Sequence, residues 1–273
     1  MCVREDFQNA EQAGLPPTSP ASIKQQSFEA MALKVGQRVL DLGCGPGIDT
    51  VELGRMVGES GETHGVDYDE AMIKAADAHA ISCKVNAWVS HHHANATALP
   101  WATDFFDASR SEGMFQHLLD PERAFAEMLR VTKPGGALVV IDTDWATLSI
   151  DVDEVELERR LVQFHAAQMM SNPYSGRLLN RMFHRHGLVD IELGVQPIFT
   201  TDVADARQIL RLDAIAHEAF AEGVLDAEER WRWQASLSRA AVTASGFFAS
   251  VNAVMVSGHK PVSKPASNAD LNF

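Results

Sequence analysis

The chain has 273 residues, of which 46% are apolar and 22% are charged, and its formal net charge is −14. This composition indicates a globular protein with one large domain or one capped domain, and the excess of acidic residues disfavours binding to nucleic acid phosphates. The sequence lacks the roughly 18 consecutive apolar residues that a membrane helix needs and the layout of a secretory signal. Its three scattered cysteines fit neither a disulfide framework nor a zinc site. We therefore expect a cytoplasmic protein with no nucleic acid and no membrane partner.

Apolar runs alternate with helical patterns in the first half of the chain. Runs typical of buried strands occupy residues 38–43, 63–67, 87–94, 105–111 and 137–142. Helices are predicted over 50–57, after the N-cap residue Asp69, and after Asp120 with Pro121 at the first helical position. The KPGG segment at 133–136 predicts a turn. Strands that alternate with helices predict an α/β fold with a mostly parallel sheet and helices on both faces.

The pattern changes beyond Asp144, where helices predominate. Helical patterns occupy 157–168, 177–186, about 203–222 and 226–242, and strands are predicted at 188–199 and 247–258. Asp226 and Glu229 form a capping box at the start of the last helix. We expect an N-terminal helical or lid segment at 1–30, the α/β domain at 31–260 with helical cap insertions at about 150–175 and 203–242, and a disordered tail at 261–273.

A glycine-rich loop follows the first strand. Asp41 lies in this strand, and Gly43, Gly45 and Gly47 allow the backbone to approach a ligand closely at the end of the sheet. A dinucleotide-binding loop would have its third glycine where this chain has Ile48, and no phosphate-binding Gly-Lys-Ser/Thr follows. The loop therefore favours a nucleoside cofactor without a pyrophosphate over NAD or ATP. The alternative is a tight strand-to-helix turn.

An acidic residue and an aromatic residue end the second predicted strand. Asp67 lies 22 residues after Gly45, where its carboxylate can accept hydrogen bonds from both hydroxyls of a ribose. Tyr68 offers an aromatic face to an adenine. The alternatives are a helix-capping role for Asp67 and a core position for Tyr68.

Several segments together resemble class I S-adenosylmethionine-dependent methyltransferases, in the bacterial group of small-molecule methylating enzymes that includes the ubiquinone and menaquinone biosynthesis type. These segments are VLDLGCGPG, GVDYDEAMI, NATALPWATDFFDA, HLLDPERAFAEMLRVTKPGG and ALVVID, in the family's order and spacing over about residues 35–145. The resemblance implies a Rossmann-like fold, S-adenosylmethionine as cofactor and a small-molecule acceptor.

The resemblance also implies roles for individual residues. Asp41, Gly43 and Gly45 would contact the methionine end of the cofactor, Asp67 the ribose, and Tyr68, Asn95 and Ala96 the adenine. Asn95 departs from the aspartate that the family often has there, but its carbonyl can still accept a hydrogen bond from the adenine amino group.

Candidate catalytic residues follow the fourth and fifth strands. His117 and Asp142 are plausible base partners by resemblance, and Asp144 lies close by. The alternatives are that His117 only fixes its loop and Asp142 only caps the strand end. Methionine and aromatic side chains could line an apolar acceptor pocket or belong to the core: Met169, Met170, Met182, Phe183, Trp231 and Trp233.

The run of three histidines at 91–93 does not predict a metal site, because neighbouring strand residues point to opposite faces and no further ligands stand at a suitable spacing. Two other functions stay open: a methyltransferase-like enzyme that catalyses a cyclisation or isomerisation with bound cofactor, and a non-catalytic cofactor-binding subunit. The sequence also leaves a homodimer open.

Overall fold

The computed structural model describes residues 22–169, 171–210, 212–242 and 246–262. The predictions made for the first 21 residues, for Met170 and for the tail from residue 263 onward lie outside these ranges. Within them, no helix is both long and apolar enough to cross a membrane.

Seven strands form one sheet. They are β1 (Arg38–Leu42), β2 (Glu62–Asp67), β3 (Val89–His93), β4 (Phe106–Glu112), β5 (Thr132–Ile150), β6 (Val189–Thr200) and β7 (Ala249–His259). The helices are α1 (Ile23–Ala30), α2 (Ile48–Val57), α3 (Glu70–Ser82), α4 (Pro121–Val131), α5 (Val155–Met169), α6 (Ser175–Arg185), α7 (Val203–Ile209), α8 (Leu212–Ala221) and α9 (Ala227–Val242), with a 3-10 turn at Phe115–His117.

The strand order is β3-β2-β1-β4-β5-β7-β6. Strands β1 to β5 run parallel, and β7 runs antiparallel between β5 and β6. After β1, the chain adds β2 and β3 on one side of that strand. It then crosses to the other side of β1 and forms β4 there. Open α/β sheets bind ligands at such a switch point, beyond the carboxyl ends of the strands. The predicted fold class, an α/β fold with a mostly parallel sheet, is confirmed.

Predicted helix caps are present where the sequence placed them. The Asp69 Oδ1 atom accepts a hydrogen bond from the backbone N–H of Ala71 at 2.7 Å, at the start of α3. The Asp120 Oδ1 atom accepts one from Arg123 N at 3.1 Å, at the start of α4. A side-chain oxygen that accepts from the first helical turn satisfies an otherwise unpaired donor, which makes these helix starts well defined.

The capping box before α9 is also formed. The backbone N–H of Glu229 donates to Asp226 Oδ1 at 2.8 Å, and the backbone N–H of Asp226 donates to Glu229 Oε2 at 3.0 Å. Both predicted partners are therefore used reciprocally.

The buried apolar residues form a core on each face of the sheet, a small core of Val51, Ala80, Val85 and Val89, and a core among the later helices that is here called the cap core. One face packs Val139 against Leu53 of α2, and the other packs Val140 against Phe125 of α4 and Phe183 of α6. The cap core is built by α5, α7, α8 and α9 together with β5 and β7, and its residues include Trp145, Leu161, Ala206, Ala216 and Trp233.

Two predictions of local structure were wrong. The segment at 133–136 is not a turn between elements but part of β5, where the register against β4 shifts and Gly135 has a φ of +80°. The predicted helix at 203–222 is two helices, α7 and α8. Strand β5 is also longer than predicted, because its end pairs with the antiparallel β7 as far as Ile150.

The predicted apolar acceptor pocket is not supported by its candidate residues. Met182 and Phe183 are buried in the core between α6 and the sheet, and Trp233 is buried in the cap core. Trp231 is 68% exposed. The alternative of a core position is therefore confirmed for Met182, Phe183 and Trp233, as helical spacing of large apolar residues often indicates, whereas Trp231 lies at the surface.

Candidate cofactor and acceptor site

The glycine loop leaves the carboxyl end of β1 in a left-handed conformation. Gly43, Gly45 and Gly47 have φ values of +78°, +52° and +79°. A Cβ atom on Gly43 would lie 2.8 Å from side-chain atoms of Met114, and one on Gly47 would lie 2.7 Å from the Cβ of Ala76. Glycine is therefore required at 43 and 47 both by backbone conformation and by the space available.

Strand β2 is hydrogen-bonded to the glycine loop. The backbone N–H groups of Gly43 and Cys44 both donate to the carbonyl oxygen of Val66, at 2.7 and 2.8 Å. Next to this contact, the backbone N–H of Gly45 donates to Asp67 Oδ2 at 2.8 Å. The predicted loop and the predicted acidic residue are thus brought together at one end of the sheet.

The second oxygen of Asp67 also contacts the backbone. Its Oδ1 atom accepts a hydrogen bond from Asp69 N at 3.0 Å. The N-cap of α3 is Asp69, so a capping role for Asp67 is wrong. Asp67 is partly exposed at the mouth of the loop, and its ribose-binding role stays a prediction.

Tyr68 is not a core residue. It is 75% exposed, its ring centroid lies 5.8 Å from that of His93, and its carbonyl oxygen lies 2.9 Å from His93 Nε2. The alternative of core packing is therefore wrong. The position at the end of β2, beside Asp67, is consistent with contact to an adenine.

The Asn95 side chain is used within its own loop. Its Oδ1 atom accepts hydrogen bonds from the backbone N–H and the hydroxyl of Thr97, both at 2.9 Å. The adjacent Ala96 is buried. A carbonyl oxygen accepts about two hydrogen bonds, so an adenine amino group would have to replace one of the Thr97 contacts. The adenine roles of Asn95 and Ala96 stay predictions.

Asp41 lies below the loop. It is 2% exposed, and its Oδ2 atom accepts a hydrogen bond from the hydroxyl of Thr50 in α2 at 2.6 Å. This bond ties the end of β1 to the helix that follows the glycine loop. Direct contact of Asp41 with a cofactor therefore stays a prediction.

A buried cluster of charges beside the loop was missed by the sequence analysis. Arg110 in β4 is fully buried, its Nη1 donates to Asp49 Oδ2 at 2.8 Å, and its Nε donates to Ser27 Oγ at 2.9 Å. Arg110 also contacts Glu112, and Lys24 of α1 lies 3.1 Å from Asp49 Oδ1. An arginine in the middle of a predicted central strand was the available signal, because such a charge is buried only with partners.

The cluster contains the carboxylates of Asp49 and Glu112 and the cations of Arg110 and Lys24, and the charge of Asp41 also acts on Arg110. Burial by itself would raise the pKa of Asp49, but the charges of Arg110 and Lys24 outweigh that effect and hold this pKa well below its usual value. Burial alone would lower the pKa of Arg110. The carboxylates of Glu112, Asp49 and Asp41 raise this pKa by more than burial lowers it, so the guanidinium stays charged. The remaining negative charge next to the loop suits a cationic ligand.

Asp142 accepts hydrogen bonds from groups of the protein itself. It is 1% exposed, and its Oδ2 atom accepts hydrogen bonds from Gln116 N and from the hydroxyl of Ser175, both at 2.8 Å. Its Oδ1 atom accepts one from Thr143 N at 3.0 Å. Asp142 therefore fixes the backbone immediately before His117.

His117 ends the 3-10 turn that follows β4, and it is exposed. Its backbone N–H donates to the carbonyl oxygen of Met114 at 2.9 Å. The two predicted catalytic residues thus share one loop, but Asp142 is buried beneath it and His117 lies at the surface. Their roles as base partners stay predictions.

The three histidines of β3 alternate faces as predicted. His91 Nδ1 lies 2.9 Å from Asp77 Oδ1 of α3. His92 Nε2 lies 3.1 Å from His64 Nδ1 on the opposite face.

Comparison with known proteins finds a methyltransferase domain in part of the chain. Residues 40–140 match the family described as "Methyltransferase domain". The chain is 31% identical over 236 residues to the "Uncharacterized 37.1 kDa protein in transposon TN4556" of Streptomyces fradiae, which covers 86% of this chain and 66% of that protein. It is 34% identical over 119 residues to the "Ubiquinone/menaquinone biosynthesis C-methyltransferase UbiE" of Photorhabdus laumondii, which covers 44% of this chain. The chain spans about half (47%) of the length of that enzyme.

Solved structures share the fold at low sequence identity. The BH2331 protein of Bacillus halodurans C-125 aligns with a TM-score of 0.64 and 16% identity over 89% of this chain and 100% of its own. The geranyl diphosphate C-methyltransferase of Streptomyces coelicolor A3(2), solved with Mg²⁺, geranyl diphosphate and S-adenosyl-L-homocysteine, aligns at 0.54 and 17% over 94% of this chain and 83% of its own. The [4+2]-cyclase SpnF aligns at 0.54 and 18% over 95% of this chain and 93% of its own.

The strand order, the glycine loop joined to Asp67, and the match over residues 40–140 agree with one another. Residues 40–140 therefore match a methyltransferase domain, and in this region the chain is similar to class I S-adenosylmethionine-dependent methyltransferases.

Proposed function

We propose that this protein transfers the methyl group of S-adenosylmethionine to a small-molecule acceptor. The main support for the proposal is the 2.8 Å hydrogen bond between Gly45 N and Asp67 Oδ2, which joins the glycine loop to a carboxylate at the switch point of the sheet. The sulfonium of the bound cofactor supplies an activated methyl group.

In this proposal, one group of residues binds the cofactor and another group binds the acceptor. Gly43 and Gly45 accommodate the methionine end, near the acidic cluster, and Asp67 binds the ribose while Tyr68 covers the adenine. Asn95 and Ala96 border the adenine from the next loop. Their common location at the ends of β1 to β3 supports this division.

The acceptor binds beyond the ends of β4 and β5. His117 is exposed there, and an imidazole is the side chain most often used to accept a proton in catalysis. Asp142 holds the backbone before His117 through Gln116 N. We assign His117 as the candidate base and Asp142 as a positioning residue. Most of the rate enhancement in such a displacement comes from alignment of the two reacting atoms in a site that excludes water.

A small molecule is the favoured acceptor because the formal net charge of −14 opposes binding to nucleic acid. Comparison of the metabolites of cells with and without the gene tests this proposal. We expect the deleted strain to accumulate a compound lighter than the missing product by one CH₂ group. Accumulation of a compound isomeric with the missing product would instead support cyclisation or isomerisation.

A further inference from the structure

The loop between β3 and β4 is bound to α4 by polar side chains of the helix. Arg123, Glu127 and Arg130 make these contacts, and their spacing of four and three positions places them on one face of α4. All three bond to the backbone of the loop. Residues 95–101 are here called the adenine loop, because this segment begins with the two residues proposed to border the adenine.

Glu127 and Arg130 hold the end of the adenine loop. Glu127 Oε2 accepts a hydrogen bond from Leu99 N at 2.8 Å. Arg130 donates to two carbonyl oxygens, from Nη1 to that of Trp101 at 2.8 Å and from Nη2 to that of Leu99 at 3.1 Å. The two side chains also pair with each other, at 2.7 Å between Nε and Oε1 and 2.8 Å between Nη2 and Oε2. The planar guanidinium therefore fixes the direction of two loop carbonyls at once.

Arg123 contacts the adenine loop closer to its start. Its Nε donates to the carbonyl oxygen of Thr97 at 3.1 Å. The backbone N–H and the hydroxyl of Thr97 both donate to Asn95 Oδ1, at 2.9 Å. Thr97 therefore links the guanidinium of Arg123 to the side chain of Asn95.

Apolar packing alone does not orient this loop. Ala96 and Leu99 are buried in the same core as Phe125 and Met128 of α4, which keeps the loop against the helix. Hydrophobic burial has no directional preference, whereas a hydrogen bond weakens steeply when it is misaligned. Asn95 is exposed, so the direction of its side chain depends on the polar contacts of the loop.

We propose that Arg123, Glu127 and Arg130 are positioning residues for recognition of the adenine. They act through the backbone of the adenine loop and set the direction in which Asn95 faces the base, without contacting the cofactor themselves. This inference rests on the proposed function. It implies that loss of these side chains reduces discrimination between purine bases, beyond any effect on folding or on binding of the rest of the cofactor.

Two matched ligands measure this discrimination. S-Adenosylhomocysteine and S-inosylhomocysteine differ only at one edge of the purine, where an amino group and a ring nitrogen acceptor are replaced by a carbonyl and an N–H. We expect the wild-type protein to bind the adenosyl ligand at least about tenfold more tightly in isothermal calorimetry, because the inosyl ligand leaves polar groups of the loop without a suitable partner. In Arg130→Ala this preference should fall to about threefold or less.

Further variants separate positioning from folding. Arg185→Ala breaks an exposed ion pair with Glu122 in the first turn of α4 and should keep the full preference. If Arg130→Ala does not fold by circular dichroism, the exposed Arg123→Ala carries the same test. Arg123→Lys keeps a charged donor for one carbonyl and should restore much of the preference. Arg130→Lys should not restore it, since an ammonium does not reproduce the fork that binds two carbonyls.

The possible results are distinct. An equal loss of affinity for both ligands in the folded variants, with the preference unchanged, would show a structural role only and overturn the proposal. Equal binding of the two ligands by the wild-type protein would overturn it as well. Failure of the wild-type protein to bind S-adenosylhomocysteine at all would instead contradict the proposed function on which the inference rests.

Discussion

Arg110 of β4 and Asp49 of α2 form a buried ion pair, with Nη1 and Oδ2 2.8 Å apart, beside the candidate cofactor loop. The pair joins the central strand to the helix that begins at the glycine loop. Ser27 and Lys24 connect the same pair to α1. The N-terminal helix is thereby attached to the cofactor side of the molecule through charges rather than through apolar packing alone.

Loss of one partner of this pair should strongly destabilise the protein. Asp49→Ala removes one of the two carboxylates that pair with the buried guanidinium of Arg110, and we expect the free energy of unfolding to fall by about 3 kcal/mol. Urea denaturation measures this. The matched control is Arg55→Ala, which breaks an exposed pair with Glu52 and should change stability by less than about 1 kcal/mol. Equal effects of the two variants would contradict the assignment of Arg110 and Asp49 as a buried pair.

The paired histidines of β2 and β3 should make stability depend on pH. Burial lowers the pKa of His64 and of His92, so the folded protein binds fewer protons on these rings than the unfolded chain does. The contribution of these two histidines to the free energy of unfolding is therefore fully retained above pH about 6.5, the pKa of a histidine in the unfolded chain. It declines as the pH falls below that value.

The double variant His64→Gln/His92→Gln should flatten this decline when unfolding free energy is measured between pH about 5 and about 7. His184→Gln removes an exposed histidine and should leave the slope unchanged. A double variant with the slope of the wild type would show that these two rings do not account for it.

Asp67 should contribute to cofactor affinity rather than to helix capping. We expect Asp67→Ala to weaken S-adenosylmethionine binding by about ten- to hundredfold, because each hydrogen bond to a charged group contributes about 1.5–3 kcal/mol. Isothermal calorimetry measures the change. Asp69→Ala removes the N-cap of α3 and should lower the melting temperature while leaving affinity nearly intact. The reverse pattern would make Asp67 a structural residue only.

Substitutions of His117 and of Asp142 should differ in their effects on the rate of methyl transfer and on the melting temperature. We expect His117→Ala to lower the single-turnover rate by about 10²–10⁴ with cofactor affinity retained. Asp142→Ala leaves the Gln116 and Ser175 donors unpaired and should also lower the melting temperature. The acceptor identified from the metabolite comparison serves as substrate, and His184→Ala is the control. A near-wild-type rate in folded His117→Ala would show that His117 is not the base. Alignment of the acceptor atom with the methyl group would then be the main source of catalysis.

The sequence predicted the parts of the fold that local rules determine. The glycine loop, the Asp69 and Asp120 caps and the Asp226 capping box follow from side chains that contact neighbouring residues in sequence. Such contacts are visible as short motifs because their partners lie within a few positions.

Contacts between residues that are distant in sequence were not predicted. Two partners of Arg110, Ser27 on α1 and Asp49 on α2, lie 83 and 61 residues away in sequence, and no local pattern reveals them. A helical stripe such as that of Met182 and Phe183 fits a core as well as a pocket, and the structure places both residues in a core. The extension of β5 depends on pairing with β7, more than 100 residues away in sequence for Asp144 and Asn252.

Turnover of methyl-labelled S-adenosylmethionine in a small-molecule cell extract tests the central claim most directly. We expect wild-type protein to move the label into a low-molecular-weight product and to release S-adenosylhomocysteine in equal amount. Asp67→Ala should require far more cofactor to do so. Stoichiometric labelling of DNA, RNA or bulk protein would contradict the assignment of a small-molecule acceptor. Saturable binding of NAD without any binding of S-adenosylmethionine would contradict the cofactor assignment, and with it the proposed methyl transfer.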